Sequence, residues 1–147
     1  MFKLIVILAL SFAVINAWNP PRYRQCDSRW ANNILGYGPA TICRAGCLMS
    51  SVASMVTGCG KNFDPAAMNN WLKSHGGFQG DGYIWAPLSA LGFNFQGFVH
   101  GTAAVKAAFA SGKRVILNVR GGHHWVLAVH DTGSGLDRKS TRLNSSH

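Results

Sequence analysis

The chain has 147 residues, 14 of them Lys or Arg against 5 acidic residues, all Asp, for a formal net charge of +9. That length suits one small domain with one core, and no stretch supplies the roughly 18 to 20 apolar residues that a membrane-spanning helix needs. Arg22, Arg24, Arg29 and Arg44 are scattered rather than clustered, which argues against a specific nucleic-acid surface and leaves acidic surfaces such as a bacterial cell wall as the encounter that the charge favours.

Lys3 followed by the apolar run Leu4 to Val14 and by Ile15-Asn-Ala17 reads as a secretory signal peptide cut after Ala17. The product is then secreted, or held in a secretory or lysosomal-type compartment, with no transmembrane anchor and as a monomer. In that oxidising setting Cys26, Cys43, Cys47 and Cys59 are open to pairing, and four cysteines allow three full pairings. At the other end, Asp137-Arg-Lys-Ser-Thr-Arg-Leu-Asn-Ser-Ser-His147 reads as translated sequencing-adapter sequence, a foreign tail. Residues 18–136 are therefore taken as the domain, truncated at its C-terminal side. Over those residues ten Lys and Arg stand against four Asp, a net +6.

Trp18-Asn-Pro-Pro predicts an extended lead-in, because each proline pushes its predecessor out of the helical region. In Gln25-Cys-Asp-Ser-Arg-Trp30, Asp27 and Ser28 can cap a turn that Trp30 anchors on the core. Gly36-Tyr-Gly-Pro-Ala is loop. Next, Thr41-Ile-Cys-Arg-Ala-Gly is a small-residue turn that runs into a helix opening at Cys47. Leu48, Val52, Met55 and Val56 make its apolar side, and Thr57-Gly58 ends it.

A second helix starts at Asp64 as N-cap with Pro65 in its first position, carries Met68, Trp71 and Leu72 on one stripe, and stops at Gly76-Gly77. Gly80-Asp-Gly-Tyr-Ile-Trp85 has loop character, and glycine-rich loops with aromatics can line a cleft. One short helical turn is expected over Pro87 to Leu91. Phe93 to Val99 alternates as a strand with Phe93 and Phe95 inward. Thr102 caps a third helix that ends at Ser111-Gly112. Finally, Arg114 to Val119 and His123 to Val129 are two strands that pair antiparallel across Arg120-Gly-Gly. A helical first half followed by a sheet-rich second half predicts an α+β domain.

The chemistry centres on Cys47. A thiol at a helix N-terminus faces unpaired N–H groups and the positive end of the macrodipole, and both favour the thiolate. Such a nucleophile needs a base that takes its proton and later protonates the leaving group, and histidine does this near neutral pH. On the last strand His124, Val126 and Ala128 share one face while His123, Trp125 and Leu127 share the other. If Cys47 is catalytic it stays outside any disulfide, and Cys26 is expected to pair with Cys43 or Cys59. A Cys-x3-Cys zinc site at Cys43 and Cys47 lacks a second ligand pair, so no metal and no cofactor is expected.

Gln25-Cys-Asp-Ser-Arg-Trp-Ala, Thr41-Ile-Cys-Arg-Ala-Gly-Cys-Leu-Met-Ser-Ser-Val-Ala, Leu72-Lys-Ser-His-Gly-Gly and Gly112-Lys-Arg-Val-Ile-Leu with Gly-His-His-Trp-Val-Leu-Ala-Val together resemble the peptidase C39-like domain of papain-type cysteine peptidases. The resemblance covers nearly all of residues 22–136. It implies a papain-like fold with the nucleophile helix packed on an antiparallel sheet, Cys47 as nucleophile and His124 as base, acting on a peptide or amide substrate. The family's orienting Asp or Asn, on the strand after the histidine, would fall in the tail; Asp131 comes early for that role, and Asn118 on the paired strand is a geometric outsider. For the oxyanion, related peptidases carry Gln about six residues before the Cys, where this chain has Thr41. Gln25 or, more weakly, Thr41 would join the Cys47 N–H as second donor. Two rival readings stand beside the hydrolase: a secreted non-catalytic binding or effector protein on the same scaffold, and a cell-wall peptide amidase or endopeptidase.

Overall fold

The computed structural model describes residues 4–9 and 18–140. Three helices lead: α1 (Ile42–Ala45), α2 (Cys47–Gly58) and α3 (Pro65–Ser74). A small hairpin follows, β2 (Phe78–Gln79) with β3 (Gly82–Tyr83), then a 3-10 turn over Ala86–Leu91. The remaining strands are β1 (Leu4–Ala9), β4 (Asn94–Val99), β5 (Arg114–Val119), β6 (His124–Asp131) and β7 (Leu136–Ser140), with α4 (Thr102–Ala110) between β4 and β5. They form one sheet in the order β4-β1-β5-β6-β7, antiparallel at every pairing. The expected mixture of helices with an antiparallel sheet is what the chain adopts.

Alternation along the strands gives this sheet two apolar faces. Ile116 and Leu127 point to one side and join Val52, Met55, Met68 and Leu72 in the larger core. Val115, Leu117, Val126 and Ala128 point to the other and meet Val105 and Ala108 of α4 in a second, smaller cluster. Each fully buried Leu, Val or Met side chain here contributes about 1.5–3 kcal/mol from the area it removes from water. The sheet is thus covered by α2 on one face and by α4 on the other.

The helices begin and end where local chemistry dictates. Asp64 caps α3, its carboxylate accepting from the Ala67 N–H at 2.8 Å, with Pro65 behind it. In α2 the serines sit inside: Ser50, Ser51 and Ser54 are at most 2% exposed. Their small side chains let the helix lie close to the sheet, and two of the hydroxyls bond to backbone carbonyls, Ser54 to Ser50 at 3.0 Å and Ser51 to Trp125 at 3.3 Å. The α1–α2 junction is tight at Gly46, where a Cβ would stand 2.6 Å from the Ile42 carbonyl oxygen.

Two further segments carry strands of the sheet. Residues 4–9, part of the expected leader, pair with both β4 and β5 and so stand as the second strand of the sheet. Residues 137–140, the start of the expected foreign tail, continue from Leu136 as an edge strand against β6. The rest of both segments, residues 1–3, 10–17 and 141–147, lies outside the described residues. One difference is local: residues 80–83, part of the run 80–85 expected as loop, belong to the β2–β3 hairpin.

Candidate active site

Cys47 is the first residue of α2 and is half-buried on a cavity of about 370 Å³. As the opening residue of a helix of 12 residues it stands at the positive end of the helix dipole, which favours the thiolate. It forms no disulfide; the bridge joins Cys26 to Cys43. Of the two partners expected for Cys26, the chain uses Cys43. Cys59, at the far end of α2, forms no disulfide, and burial pushes its thiol above the ordinary range.

That bridge also positions Gln25. The loop bearing Gln25 is fastened to α1 twice, covalently through the neighbouring Cys26 and by the Gln25 Nε2 donating to the Cys43 carbonyl at 2.6 Å. Gln25 is 3% exposed and lines the same cavity as Cys47. The turn that follows is held by Asp27, whose carboxylate accepts from the Arg29 guanidinium at 2.9 Å through both of its oxygens. Those bonds hold its carboxyl well down, at about 2 against an ordinary 3.8. Trp30, 1% exposed, anchors the turn and donates from Nε1 to the Arg24 carbonyl.

The strand side of the cavity comes from the start of β6. Gly122, His123 and Trp125 line it, and His124 sits between the last two, itself 2% exposed. The Ser51 bond to the Trp125 carbonyl ties this strand start to the helix one turn beyond Cys47. The link from β5 to β6 is tight: Arg120 takes φ 55°, followed by Gly121 and Gly122 at φ 66° and 98°. A non-glycine residue at that φ stores backbone strain, here beside the histidines.

The third wall is the β2–β3 hairpin, which brings Phe78, Asp81 and Tyr83 to the cavity. It is held by close backbone contact: the Tyr37 N–H donates to the Gly80 carbonyl at 2.8 Å, and a Cβ on Gly36 would stand 2.5 Å from that same oxygen. Gly38 in turn leaves room for Asp81, whose backbone nitrogen would be 2.6 Å from a Cβ there. The loop is braced from below by buried Asn69, which accepts from the Gly36 N–H and donates to the Ile34 carbonyl, each at 2.9 Å.

The other sequence candidates stay apart from this cavity. Thr41 caps α1, its hydroxyl accepting from the Arg44 N–H at 3.3 Å, and it is not among the residues that line the cavity. Asp131 closes β6 at the end opposite His124, about 23 Å along the strand at the usual rise per residue. There it faces Lys106 at 3.5 Å and accepts from the Gly133 N–H, so it orients no histidine at the strand start. Asn118 lies opposite Trp125 in the ladder, 6% exposed, with its Oδ1 lacking a hydrogen-bond partner. Arg44, Asp81 and His123 line the cavity although the sequence did not single them out as site residues. The signal for Asp81 was its place between Gly80 and Gly82 in a run already marked as cleft-lining.

Among the described residues no group of three or more His, Cys, Asp or Glu is placed to hold a metal ion, and no helix is long and apolar enough to cross a membrane. No family model, no curated protein and no solved structure matches the chain.

Proposed function

We propose that the protein is an exported cysteine hydrolase of papain-like architecture that cleaves peptide or amide bonds, with Cys47 as nucleophile and His124 as general base. The observation that carries this reading is a thiol, outside any disulfide, opening a buried helix on a cavity that His123 and Trp125, the residues on either side of His124, also line. The Ser51 bond to Trp125 keeps that strand start against the nucleophile helix. Resemblance of the Gly-Cys and His-His-Trp segments to the peptidase C39-like domain selects His124, the histidine directly before the aromatic.

The reaction follows from these groups. The Cys47 thiolate adds to the carbonyl carbon, and the oxyanion is met by the Cys47 backbone N–H and by the Gln25 amide. The C–N bond then breaks as the imidazolium of His124 gives its proton to the departing amine. Water, deprotonated by the neutral imidazole, attacks the thioester, releasing the acid and restoring the thiol. The disulfide and the apolar run at the start of the chain support export, and the positive net charge supports encounter with acidic surfaces.

The test is Cys47→Ala in the full chain, assayed for amide cleavage and for labelling by iodoacetamide. Both are expected to vanish at that position, and persistence of cleavage ends the reading. His123 itself lines the cavity, which favours it as the alternative base. His124→Ala is expected to lower kcat by two orders of magnitude or more, His123→Ala far less, and the reverse order reassigns the base. Digestion of peptidoglycan set against digestion of protein separates a cell-wall amidase from a general peptidase.

A further inference from the structure

The cavity beside Cys47 carries one cation and one anion on separate walls. Arg44 comes from α1, one helical turn before Cys47, and Asp81 comes from the turn of the β2–β3 hairpin. The surface around them is mixed: Gln25 and His123 lie beside Leu48 and Trp125. Both charged residues are exposed, and among the described residues neither takes part in an ion pair; those present join Arg29 to Asp27 and Lys106 to Asp131.

Their placement is built into the backbone. Arg44 belongs to the short helix that the Cys26–Cys43 bridge fastens. Asp81 sits on a hairpin held by the Tyr37 bond to Gly80, and Gly38 clears the space that its backbone and carboxyl occupy: a Cβ there would come within 3.1 Å of the Asp81 Cγ. Neither group is needed for attack on a carbonyl. Two opposite charges lining one cavity, on segments whose backbones are held in place, are instead complementary to a ligand that carries both an anionic and a cationic group.

We infer that Arg44 and Asp81 are specificity-determining residues, and that the preferred substrate is a dipolar peptide, its carboxylate taken by Arg44 and its ammonium or guanidinium group by Asp81. This rests on the proposed hydrolase site being the cavity at Cys47. A cavity of about 370 Å³ takes only a short segment, so the two charges of the substrate lie within a few residues of the bond that is cut. An order of charges follows too, because the walls are not interchangeable: reversing the peptide presents each charge to its like.

The experiment uses the full chain and three fluorescent peptides of equal length: one with Glu before Lys, one with Lys before Glu, and one with Gln at both places. Binding is read by anisotropy on the Cys47→Ala variant and turnover on the wild type. One charge order is expected to exceed both other peptides by about tenfold in Kd and in kcat/KM. Arg44→Glu and Asp81→Lys are each expected to remove that preference. The double variant Arg44→Asp/Asp81→Arg is expected to favour the opposite order. Thermal midpoints equal to wild type confirm that the exposed substitutions leave the fold intact. Equal binding of the three peptides, or a preference untouched by the single variants, overturns the inference. Charge-dependent binding without cleavage refutes the hydrolase and keeps the recognition; cleavage blind to charge does the reverse.

Discussion

The Ser51 hydroxyl donates to the carbonyl oxygen of Trp125 at 3.3 Å, joining residues 74 positions apart. One of them lies one turn beyond the candidate nucleophile and the other directly follows the candidate base. Ser51→Ala leaves the Trp125 carbonyl without this donor, at a cost of about 1 kcal/mol in stability. The larger effect is expected in kcat, because the gap between helix tip and strand start is what the bond fixes, while KM stays near its original value. Urea unfolding and steady-state kinetics, measured on the same preparation, separate the two.

Removing the Cys26–Cys43 bridge is expected to act on both stability and the proposed oxyanion site. The Cys26→Ser/Cys43→Ser double variant frees a loop with a sequence separation of 17, which by loop entropy costs about 3 kcal/mol. It also slackens the loop whose Gln25 amide bonds to the Cys43 carbonyl. The expected outcome is a lower urea midpoint together with a fall in kcat, and Gln25→Ala in the bridged protein is expected to reproduce the second without the first.

Ser50 is fully buried in α2, and its Oγ has no hydrogen-bond partner among the described residues. Ser50→Ala removes that desolvated hydroxyl and puts the best helix former in its place, so a gain of about 1 kcal/mol is expected in chemical denaturation. A loss in stability would show that the hydroxyl has a partner in solution.

Asp27 supplies a pH dependence whose sign is fixed. Its folded carboxyl titrates at about 2, below its ordinary 3.8, because Arg29 bonds to the charged form. The stabilisation is therefore complete above the ordinary value and is lost as pH falls through the folded one. Compared with Asp27→Asn across acid titration by circular dichroism, the wild type is expected to keep a constant advantage down to about pH 4 and to lose it towards pH 2.

Residues 4–9 test the sheet itself. With them in place β4 and β5 are each paired to β1; a chain beginning at Trp18 exposes one ladder edge on each of these strands. That shorter chain is expected to unfold at lower urea and to scatter more light at equal concentration, since open edges recruit other chains. Equal behaviour of the two chains would show that β4 and β5 close on each other once β1 is gone.

Much of the framework was legible because local signals were strong. Asp64 with Pro65 announced α3, the Thr57-Gly58 end of α2 fell where the apolar stripe stops, and Arg120-Gly-Gly joined two alternating strands. Trp30 and Phe93 were read as buried from size and alternation, and each is 1% exposed. The hairpin at 78–83 was missed because its strands hold two residues each and its stability comes from the Gly36–Gly38 loop far away in sequence. Cys43 was one of two partners open to Cys26; the fold chose it by bringing α1 against the Gln25 loop. Arg44 carries no periodicity and no motif, and Asp81 only its place in a glycine-rich run, so it is the closure of three distant segments around Cys47 that makes them neighbours of one cavity.

The bridge at Cys43 and the thiol at Cys47 lie four positions apart and ask opposite things of their surroundings. Strong reductant opens the first and slackens the loop bearing Gln25; strong oxidant converts the second to sulfenic acid or a mixed disulfide and silences the nucleophile. The proposed hydrolase is thereby expected to work only within a band of redox potential, with a loss at either side that has a different chemical origin and a different sulfur to blame.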